Sequence, residues 1–357
     1  MEKVSTGRAL ILAALGGLFV AAVFVMVAPA AAASTDDEVA FARQVRANCV
    51  LQVTYATTAA ETATAQACIS IQDKVIAGLM PAPSPSTTTA QPPPPQPPVL
   101  TYPTAATTGY RDAGALTVQS CTLATANAVY DHKLFDCSGV AWLSVNATGV
   151  HITNSLIYGG VYGGVQVSGS VTIEDTTIMA KGSNPFARDT SVGGGNFTLT
   201  RIRSLSGGDG VDVEGSNITV RDSYLEQHPA GGAHSDGVQL YGPGANVVIS
   251  HNTLTQRGTP STSPVFWSGD VGPGVQIVDN LLVGGSYTLR IGANSGNGAV
   301  VTGNLIARNE WGAGTGAVLV ENPCTAAHNI TWSGNELGDV SGDYATVTNR
   351  TSLTLAC

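Results

Sequence analysis

An eight-residue pattern of apolar and polar positions recurs along the chain between Val150 and Leu337. In most copies the first, third and last positions are apolar, and a polar residue is followed by Asn or a small residue at positions five and six. The copies read VHITNSLI, VTIEDTTI, FTLTRIRS, ITVRDSYL, VVISHNTL, VQIVDNLL, AVVTGNLI and ITWSGNEL. Their third residues, from Ile152 to Trp332, are 21 to 31 residues apart. This period, with strand-like alternation and no helical period between copies, predicts a β-solenoid.

A second pattern lies between these copies and reads GGVQVSG, DGVDVEG, DGVQLYG, YTLRIG and GAVLVEN. The two patterns together predict two short strands in each coil. Side chains alternate along a strand, so we expect Val211 and Val213, like Val238 and Leu240, to point inward. The residue between each pair should then face solvent.

A column of asparagines follows from stacking the copies, because equivalent residues of neighbouring coils lie about 4.8 Å apart. An Asn at a tight turn can bond to the backbone and to the Asn of the next coil. We therefore predict a structural ladder with no chemical role. Its members are Asn252, Asn280, Asn304 and Asn335, with Ser223, Thr176 and Ser155 in the same column of earlier coils.

The coil pattern, the asparagine column and the phrases HSDGVQL and NITVRDSYL resemble the right-handed parallel β-helix repeat proteins secreted by actinobacteria. The resemblance covers about residues 115 to 357. Pectate lyases, polygalacturonases and phage tailspikes share this architecture. It implies an all-β fold, a right-handed parallel β-helix. The repeats predict about eight coils, and the composition of residues 34–80 predicts a small helical segment before them. It implies no single activity, because lyases, hydrolases, epimerases and inert adhesins all use this fold.

Residues 1–33 have the features of a secretory signal peptide. Lys3 and Arg8 precede an uncharged run that ends in four alanines at Ala33, where cleavage is expected. The alternative is an uncleaved membrane anchor, because the 19 residues from Ala9 to Val27 are long enough to span a bilayer. No other segment is expected to cross a membrane. The protein is therefore predicted to be secreted, or held at the cell surface if the segment is retained.

The remaining chain is divided by a proline-rich stretch. Residues 34–80 are rich in Ala, Gln and Thr and predict two short helices, about Asp36 to Tyr55 and Ala59 to Leu79. Residues 81–100 contain PAPSPSTTTAQPPPPQPP, which favours extended polyproline II and a semi-rigid linker. Residues 101–357 form the predicted β-helix domain.

The six cysteines of an exported chain are expected to be oxidised. Pairing of sequence neighbours is the simplest of the 15 connectivities that six cysteines allow. It would close the N-terminal helices, the first coil and the C-terminal end. The pairs would be Cys49 with Cys68, Cys121 with Cys137, and Cys324 with Cys357.

The formal net charge of −9 and the lack of a basic stripe argue against a nucleic-acid ligand. Titratable residues are instead concentrated on consecutive coils of the second pattern, where Asp209 should stack on Asp236 and Asp212 on Gln239. Two carboxyls so close cannot both be ionised without cost, so one is expected to hold a proton or share a cation. A proton donor beside a carboxylate is what cleavage of a glycosidic bond requires.

Polygalacturonases carry comparable phrases on successive coils, and this chain has GGDGVDV, HSDGVQL and LRIG in corresponding places. The resemblance implies that Asp209 is the first aspartate, Asp236 one of a pair, and Arg290 the arginine that meets a substrate carboxylate. Three departures distinguish this chain. Ser235 replaces the other paired aspartate, no His-Gly occurs between Asp236 and Arg290, and Gly292 stands where a lysine is expected.

We therefore assign Asp236 as general acid or base, Asp209 as its carboxylate partner and His234 as proton shuttle. The expected substrate-binding residues are Asp212, Gln239 and Arg290, with Tyr287 and Trp267 stacking on sugar rings. Each has a structural alternative: Asp-Gly is common turn chemistry, an arginine can pair within the solenoid, and an aromatic can pack at a rim. No cofactor is expected, although Asp209, Asp212, Glu214 and Asp236 offer oxygen ligands for Ca²⁺ without a recognisable ligand loop.

The sequence thus predicts a secreted, monomeric β-helix that binds a polysaccharide or cell-wall glycan. Cleavage of an acidic polysaccharide, by hydrolysis or elimination, is the specific hypothesis. The alternative is a non-catalytic cell-wall or surface module for carbohydrate binding or adhesion, which the missing His-Gly favours. A receptor binder similar to phage tailspikes fits poorly with a signal peptide.

Overall fold

A computed structural model describes residues 101–355 except 113, 230–233, 243, 259–260, 269–272, 293–297, 312–315 and 321–329. From residues 1–100 it describes a few helical residues only: Ala63, Gln66, Ala67, Ile69, Ser70 and Lys74. They fall within the second of the two predicted helices. The first predicted helix, the signal segment and the proline-rich linker lie outside the described residues.

The described residues form 29 strands, numbered in chain order, which are arranged in three sheets. The first sheet contains β1 (Thr117–Gln119), β4 (Lys133–Asp136), β7 (Leu156–Tyr158), β10 (Thr177–Met179), β13 (Arg203–Ser206), β16 (Tyr224–Gln227), β19 (Thr253–Gln256), β22 (Leu281–Gly284), β25 (Leu305–Ala307), β28 (Glu336–Val340) and β29 (Val347–Ser352). The second contains β2 (Thr122–Leu123), β5 (Leu143–Val145), β8 (Val165–Val167), β11 (Val192–Gly194), β14 (Val211–Val213), β17 (Asp236–Leu240), β20 (Ser263–Trp267), β23 (Leu289–Ile291) and β26 (Val318–Val320). The third contains β3 (Val129–Asp131), β6 (Val150–Thr153), β9 (Val171–Glu174), β12 (Phe197–Thr200), β15 (Ile218–Arg221), β18 (Val247–Ser250), β21 (Gln276–Val278), β24 (Val300–Thr302) and β27 (Thr331–Ser333).

Each strand pairs in parallel with its equivalent in the next coil, and only β29 folds back antiparallel on β28. The predicted all-β parallel solenoid is therefore confirmed. The prediction of two strands per coil was wrong, because the eight-residue pattern contains two strands rather than one. Its fifth residue has a left-handed φ, such as 46° at Asn154 and 45° at Asp175, which ends one strand and redirects the next.

The interior contains one stripe of apolar side chains from each sheet. Val211, Val213, Val238 and Leu240 are buried, as predicted from the alternation. Val211 pairs with Val238 and Val213 with Leu240, so the predicted register between these two coils is also confirmed.

The asparagine column is confirmed as a buried ladder at the corner between the third and first sheets. The side-chain amide of Asn280 donates to the Asn304 carbonyl oxygen at 2.9 Å and to the Ile249 main-chain carbonyl at 2.8 Å. Asn252 donates in turn to Asn280, and Asn304 donates to Asn335. Ser223 continues the column, since its main-chain N–H donates to the Asn252 side chain at 3.0 Å.

The outer face of the first sheet is covered by the chain that precedes β1. Tyr102 packs with Leu281, Val283 and Leu305, and the Thr253 hydroxyl donates to the Pro103 carbonyl at 2.6 Å. Further along, the Gly109 N–H donates to the Arg201 carbonyl at 2.8 Å. This segment therefore runs along the first sheet from the late coils towards the first coil.

The structure bears on one of the three predicted disulfides. Cys121 and Cys137 are bonded, as predicted, and join the turns around the first coil. Cys49, Cys68, Cys324 and Cys357 lie outside the described residues. Among the residues that are described, no helix is long and apolar enough to cross a membrane.

Candidate functional site

The outward face of the second sheet brings most of the predicted polar residues into one column. In register along this column lie Gln166, Gly193, Asp212, Gln239, Phe266 and Arg290. The predicted stacking of Asp212 on Gln239 is confirmed, and Arg290 follows two strands further along. Except for Gly193, whose neighbours are Val192 and Gly194, each of these residues lies between two inward apolar residues, so the alternation of the strand directs it outward.

Asp209 and Asp236 lie beside this column, where the chain enters the second sheet. The Asp236 main-chain N–H donates a hydrogen bond to the Asp209 carboxylate, and the Gly210 N–H donates to the Asp236 carbonyl at 2.9 Å. One ligand atom each from Asp209, His234 and Asp236 lies within 4.8 Å of the other two. The structure therefore brings together the three residues that the sequence analysis assigned to catalysis.

Burial and mutual repulsion raise the pKa values of these carboxyls. Burial raises the pKa of Asp236 to about 9, and the charge of Asp209 adds to the effect. Burial, followed by the charge of Asp209, raises the pKa of Asp212 to about 7. The pKa of Asp209 is raised by burial as well. At neutral pH Asp236 therefore keeps its proton and Asp212 is near the midpoint of its titration.

Asp236 is the most enclosed member of the group. Its side chain has no exposed surface, and neither of its carboxyl oxygens makes a well-formed hydrogen bond with the described residues. Its Oδ2 lies 3.3 Å from Nδ1 of His234, whose side chain is 53% exposed. His234 thus lies between solvent and Asp236, which is the position that a proton shuttle needs.

Phe266 and Arg290 flank the acidic residues on the side of the later coils. The Arg290 guanidinium lies over the Phe266 ring, 4.5 Å from its centroid, and the His234 ring meets the edge of Phe266 at 5.2 Å between centroids. The charge of Arg290 lowers the pKa of Asp236 in opposition to burial. A cation held over an aromatic ring offers a planar charged group to a ligand.

The sequence analysis missed Asp189, Ser191 and Phe266. Asp189 is largely buried, which raises its pKa, and it lies close enough to Asp209 and Asp212 to raise theirs. Its carboxylate accepts a hydrogen bond from the Ser191 N–H at 3.0 Å, an Asx turn that the spacing Asp-Thr-Ser makes plausible from sequence. Phe266 is found by counting back one coil from Arg290.

The assignment of Trp267 to sugar stacking was wrong. Trp267 is 1% exposed and lies in the core, where it pairs with Leu240 and Ile291 of neighbouring strands. It follows the inward Val265 by two positions, so the alternation of the strand directs its ring inward as well. Tyr287 is half-buried and lies in the turn that leads into β23.

The donor set for a cation differs from the expected four oxygen ligands. Glu214 is exposed, and its carboxylate accepts a hydrogen bond from the Gln166 amide at 3.1 Å. The donor atoms that lie together come from two carboxylates and an imidazole, whereas Ca²⁺ prefers oxygen ligands only. These residues therefore fit Ca²⁺ poorly.

A separate depression of about 490 Å³ lies over the third sheet. It is lined by residues such as His151, Thr172 and Asn196. None of the carboxyls with raised pKa values lines this depression, so we regard the second sheet as the candidate functional site.

Comparison with known proteins agrees with this architecture. Residues 138–355 match the family described as the right handed beta helix region. Because the match covers more than half of the 357 residues, the chain belongs to that family. No curated protein and no solved structure matches the chain.

Proposed function

We propose that this protein binds an extended acidic polysaccharide along the outward face of its second sheet and cleaves it by acid–base chemistry. The observation that carries the proposal is the group of close carboxyls with raised pKa values beside an arginine that lies over an aromatic ring. Perturbed carboxyls in a shared polar column are typical of functional sites. The β-helix fold is used by polysaccharide-active enzymes and binding proteins alike, so the fold does not decide between them.

Asp212 and His234 are the groups that deliver or take up protons in this proposal. Asp212 faces outward with a pKa of about 7, so it exchanges a proton near neutral pH. Asp236 holds a proton beneath His234, whose ring relays it towards solvent. Asp209 is the carboxylate partner of both, and Arg290 binds a carboxylate of the substrate.

The substrate and location follow from the same reasoning and are part of the proposal. The ligand is a polysaccharide or cell-wall glycan, and the protein acts outside the cell as a monomer after export through its N-terminal segment. An oxidised Cys121–Cys137 pair supports an oxidising compartment.

The test uses the full-length protein on a panel of acidic and neutral polysaccharides. New reducing ends measure hydrolysis, and absorbance of unsaturated uronate measures elimination. Asp209→Asn, Asp212→Asn and Asp236→Asn should each lower the rate by about 100-fold or more, and the double variant of Asp209 and Asp236 should lose little more. Asp222→Asn changes a carboxylate at another corner, where Asn also accepts the φ of 54°, and it should keep full activity. Full activity in all three site variants would overturn the catalytic assignment.

The second candidate is a non-catalytic carbohydrate-binding or adhesion module. The complete burial of Asp236 favours it, because an acid without exposed surface cannot touch a glycosidic oxygen directly. Binding to a glycan on the panel without any cleavage product would select this function over the enzyme.

A further inference from the structure

An aromatic pair, the half-buried Trp142 and the exposed Tyr162, lies near the start of the second sheet, outside the group of carboxyls. The rings of Trp142 and Tyr162 lie 6.3 Å apart between centroids, at an angle of 54°. Tyr162 is 73% exposed, and Val140 and Val161 beside it are 49% and 51% exposed. Apolar side chains gathered on a surface in this way are typical of binding sites.

The backbone holds this pair in a defined place. The Val161 N–H donates to the Val140 carbonyl at 2.8 Å, and the Tyr162 N–H donates to the Ala141 carbonyl at 3.0 Å, so the two turns stack in register. Gly160 is required for this approach, because a Cβ there would collide with the Ala141 carbonyl. The turn is therefore joined to the preceding coil by main-chain hydrogen bonds, and it presents Tyr162 to solvent rather than to the core.

The aromatic pair lies on the same outward face of the second sheet as the cluster of carboxyls. Trp142 directly precedes the inward Leu143 of β5, so it faces outward at the same edge of the second sheet as the turn that carries Asp209. Tyr162 lies in the turn before β8, and Asp209 lies in the turn before β14, with only β11 between these strands in the sheet. Two coil steps correspond to about 10 Å, roughly the spacing between the first and third rings of a sugar chain, so both places are reached only by a chain of three or more rings.

The interval between the two is polar. The Gln166 amide donates to the Glu214 carboxylate at 3.1 Å, and this hydrogen bond passes over Gly193, which has no side chain. Hydroxyl groups of a sugar can exchange hydrogen bonds with these side chains. A chain of sugar rings lying along the sheet thus meets an aromatic surface, then polar groups, and then the carboxyls.

We infer that Trp142 and Tyr162 form a distal sugar-binding subsite, where one pyranose ring of an acidic glycan stacks while a unit about two rings away reaches Asp209 and Asp212. This inference rests on the proposed function, since it names a second contact for the same ligand. The aromatic pair supplies affinity for long chains and takes no part in proton transfer.

The test compares digalacturonate with octagalacturonate as probes, using calorimetric titration of the full-length protein. Tyr162→Ala should weaken octagalacturonate binding by about tenfold, whereas digalacturonate, which reaches only one of the two places, should bind with unchanged affinity. Tyr162→Phe keeps the ring and should bind like the wild type. Val129→Ala is the control, because Val129 is 64% exposed in β3 of the third sheet, away from the proposed binding face, and should be silent.

Three outcomes overturn the inference. If Tyr162→Ala binds both probes like the wild type, the subsite is wrong while the proposed function stands. If wild-type protein binds neither probe, the acidic substrate class fails and the subsite with it. If sedimentation shows that Tyr162→Ala dissociates a dimer without changing octagalacturonate affinity, the pair is a contact between two copies of the chain.

Discussion

Two groups of stacked polar residues lie in this solenoid, the asparagine ladder and the cluster of carboxyls, and they differ in how many of their polar atoms have hydrogen-bond partners. In the asparagine ladder each amide both donates and accepts, as Asn280 does with Asn252 and Asn304. In the cluster of carboxyls formed by Asp209, Asp212 and Asp236, the Asp236 side chain is fully buried without a well-formed hydrogen bond. One carboxyl oxygen of Asp212 also lacks a hydrogen-bond partner among the described residues. Both groups use the same coil spacing, so geometry alone does not explain the difference.

The difference lies in the chemistry of the stacked groups. An amide carries a donor and an acceptor, so identical amides stacked in register complete each other. A carboxylate only accepts, so stacked carboxylates repel until one binds a proton or meets a cationic partner. The asparagine ladder therefore stabilises the fold, whereas the cluster of carboxyls destabilises it. A costly buried group that persists is a candidate for function.

The largest effect should follow from placing a carboxyl where no partner exists at all. Val238→Asp removes a buried side chain of the core and adds an unpaired acid, so we expect the free energy of unfolding to fall by at least about 4 kcal/mol. Gln276→Asp, at an exposed outward position of β21, should change it by no more than about 0.5 kcal/mol. Denaturant titration of both variants measures the contrast. Equal stabilities would show that Val238 does not face the core.

Breaking the asparagine ladder should have the next largest effect. Asn280→Ala removes the buried acceptor of two Asn252 hydrogen bonds, from the side-chain amide and from the main-chain N–H, and the buried donor to the Ile249 carbonyl. We expect a loss of about 3 kcal/mol. The control is Asn246→Gly, which removes an exposed amide and keeps the left-handed φ of 56° accessible, so it should cost less than about 1 kcal/mol. Thermal unfolding that ranks the two variants in the opposite order would argue against the structural role of the ladder.

The contrast also explains what could be read from the sequence. Alternation placed Val211 and Val238 inward, and the repeat itself aligned Asp212 with Gln239 and the asparagines with one another, because stacking in a solenoid follows the sequence register. Trp267 was misassigned because the coil that contains SPVFWSG does not repeat either pattern clearly. Its inward direction becomes evident only once Val265 is aligned with Val238.

Contacts between residues far apart in the chain could not be predicted from the sequence. The covering of the first sheet by Tyr102 joins residues about 180 to 200 positions apart, and no local period signals such a contact. The burial of Asp236 depends on how His234 and Phe266 meet above it, which is a matter of side-chain packing rather than of register. For the same reason the raised pKa values followed in direction from the sequence, but their size required the structure.

A smaller effect should appear in the pH dependence of stability. The pKa of Asp236 is raised to about 9 in the folded protein from 3.8, so the folded state retains a proton that the unfolded chain releases. The contribution of Asp236 to stability should therefore be greatest below about pH 4, fall as pH rises through the window up to about 9, and level off above it. Asp236→Asn lacks this titration, so its advantage over the wild type should grow with pH to a few kcal/mol. Parallel curves for the two proteins in denaturant titrations across this window would refute the buried acid.

The smallest effect on stability is expected at Arg290. Arg290→Ala loses a cation that lies over the Phe266 ring, which should cost about 1 kcal/mol or less. Because the charge of Arg290 lowers the pKa of Asp236, its removal should raise that pKa further and extend the window of falling stability to higher pH. Arg290→Lys keeps the charge and should restore the pH window of the wild type, while losing the planar contact with a ligand carboxylate.

The same residue should also distinguish acidic from neutral ligands. In titrations with matched acidic and neutral oligosaccharides, Arg290→Ala should weaken binding of the acidic ligand by about tenfold and leave the affinity for the neutral one unchanged. An equal loss for both ligands would mean that Arg290 supports the shape of the site and does not recognise the charge of the substrate.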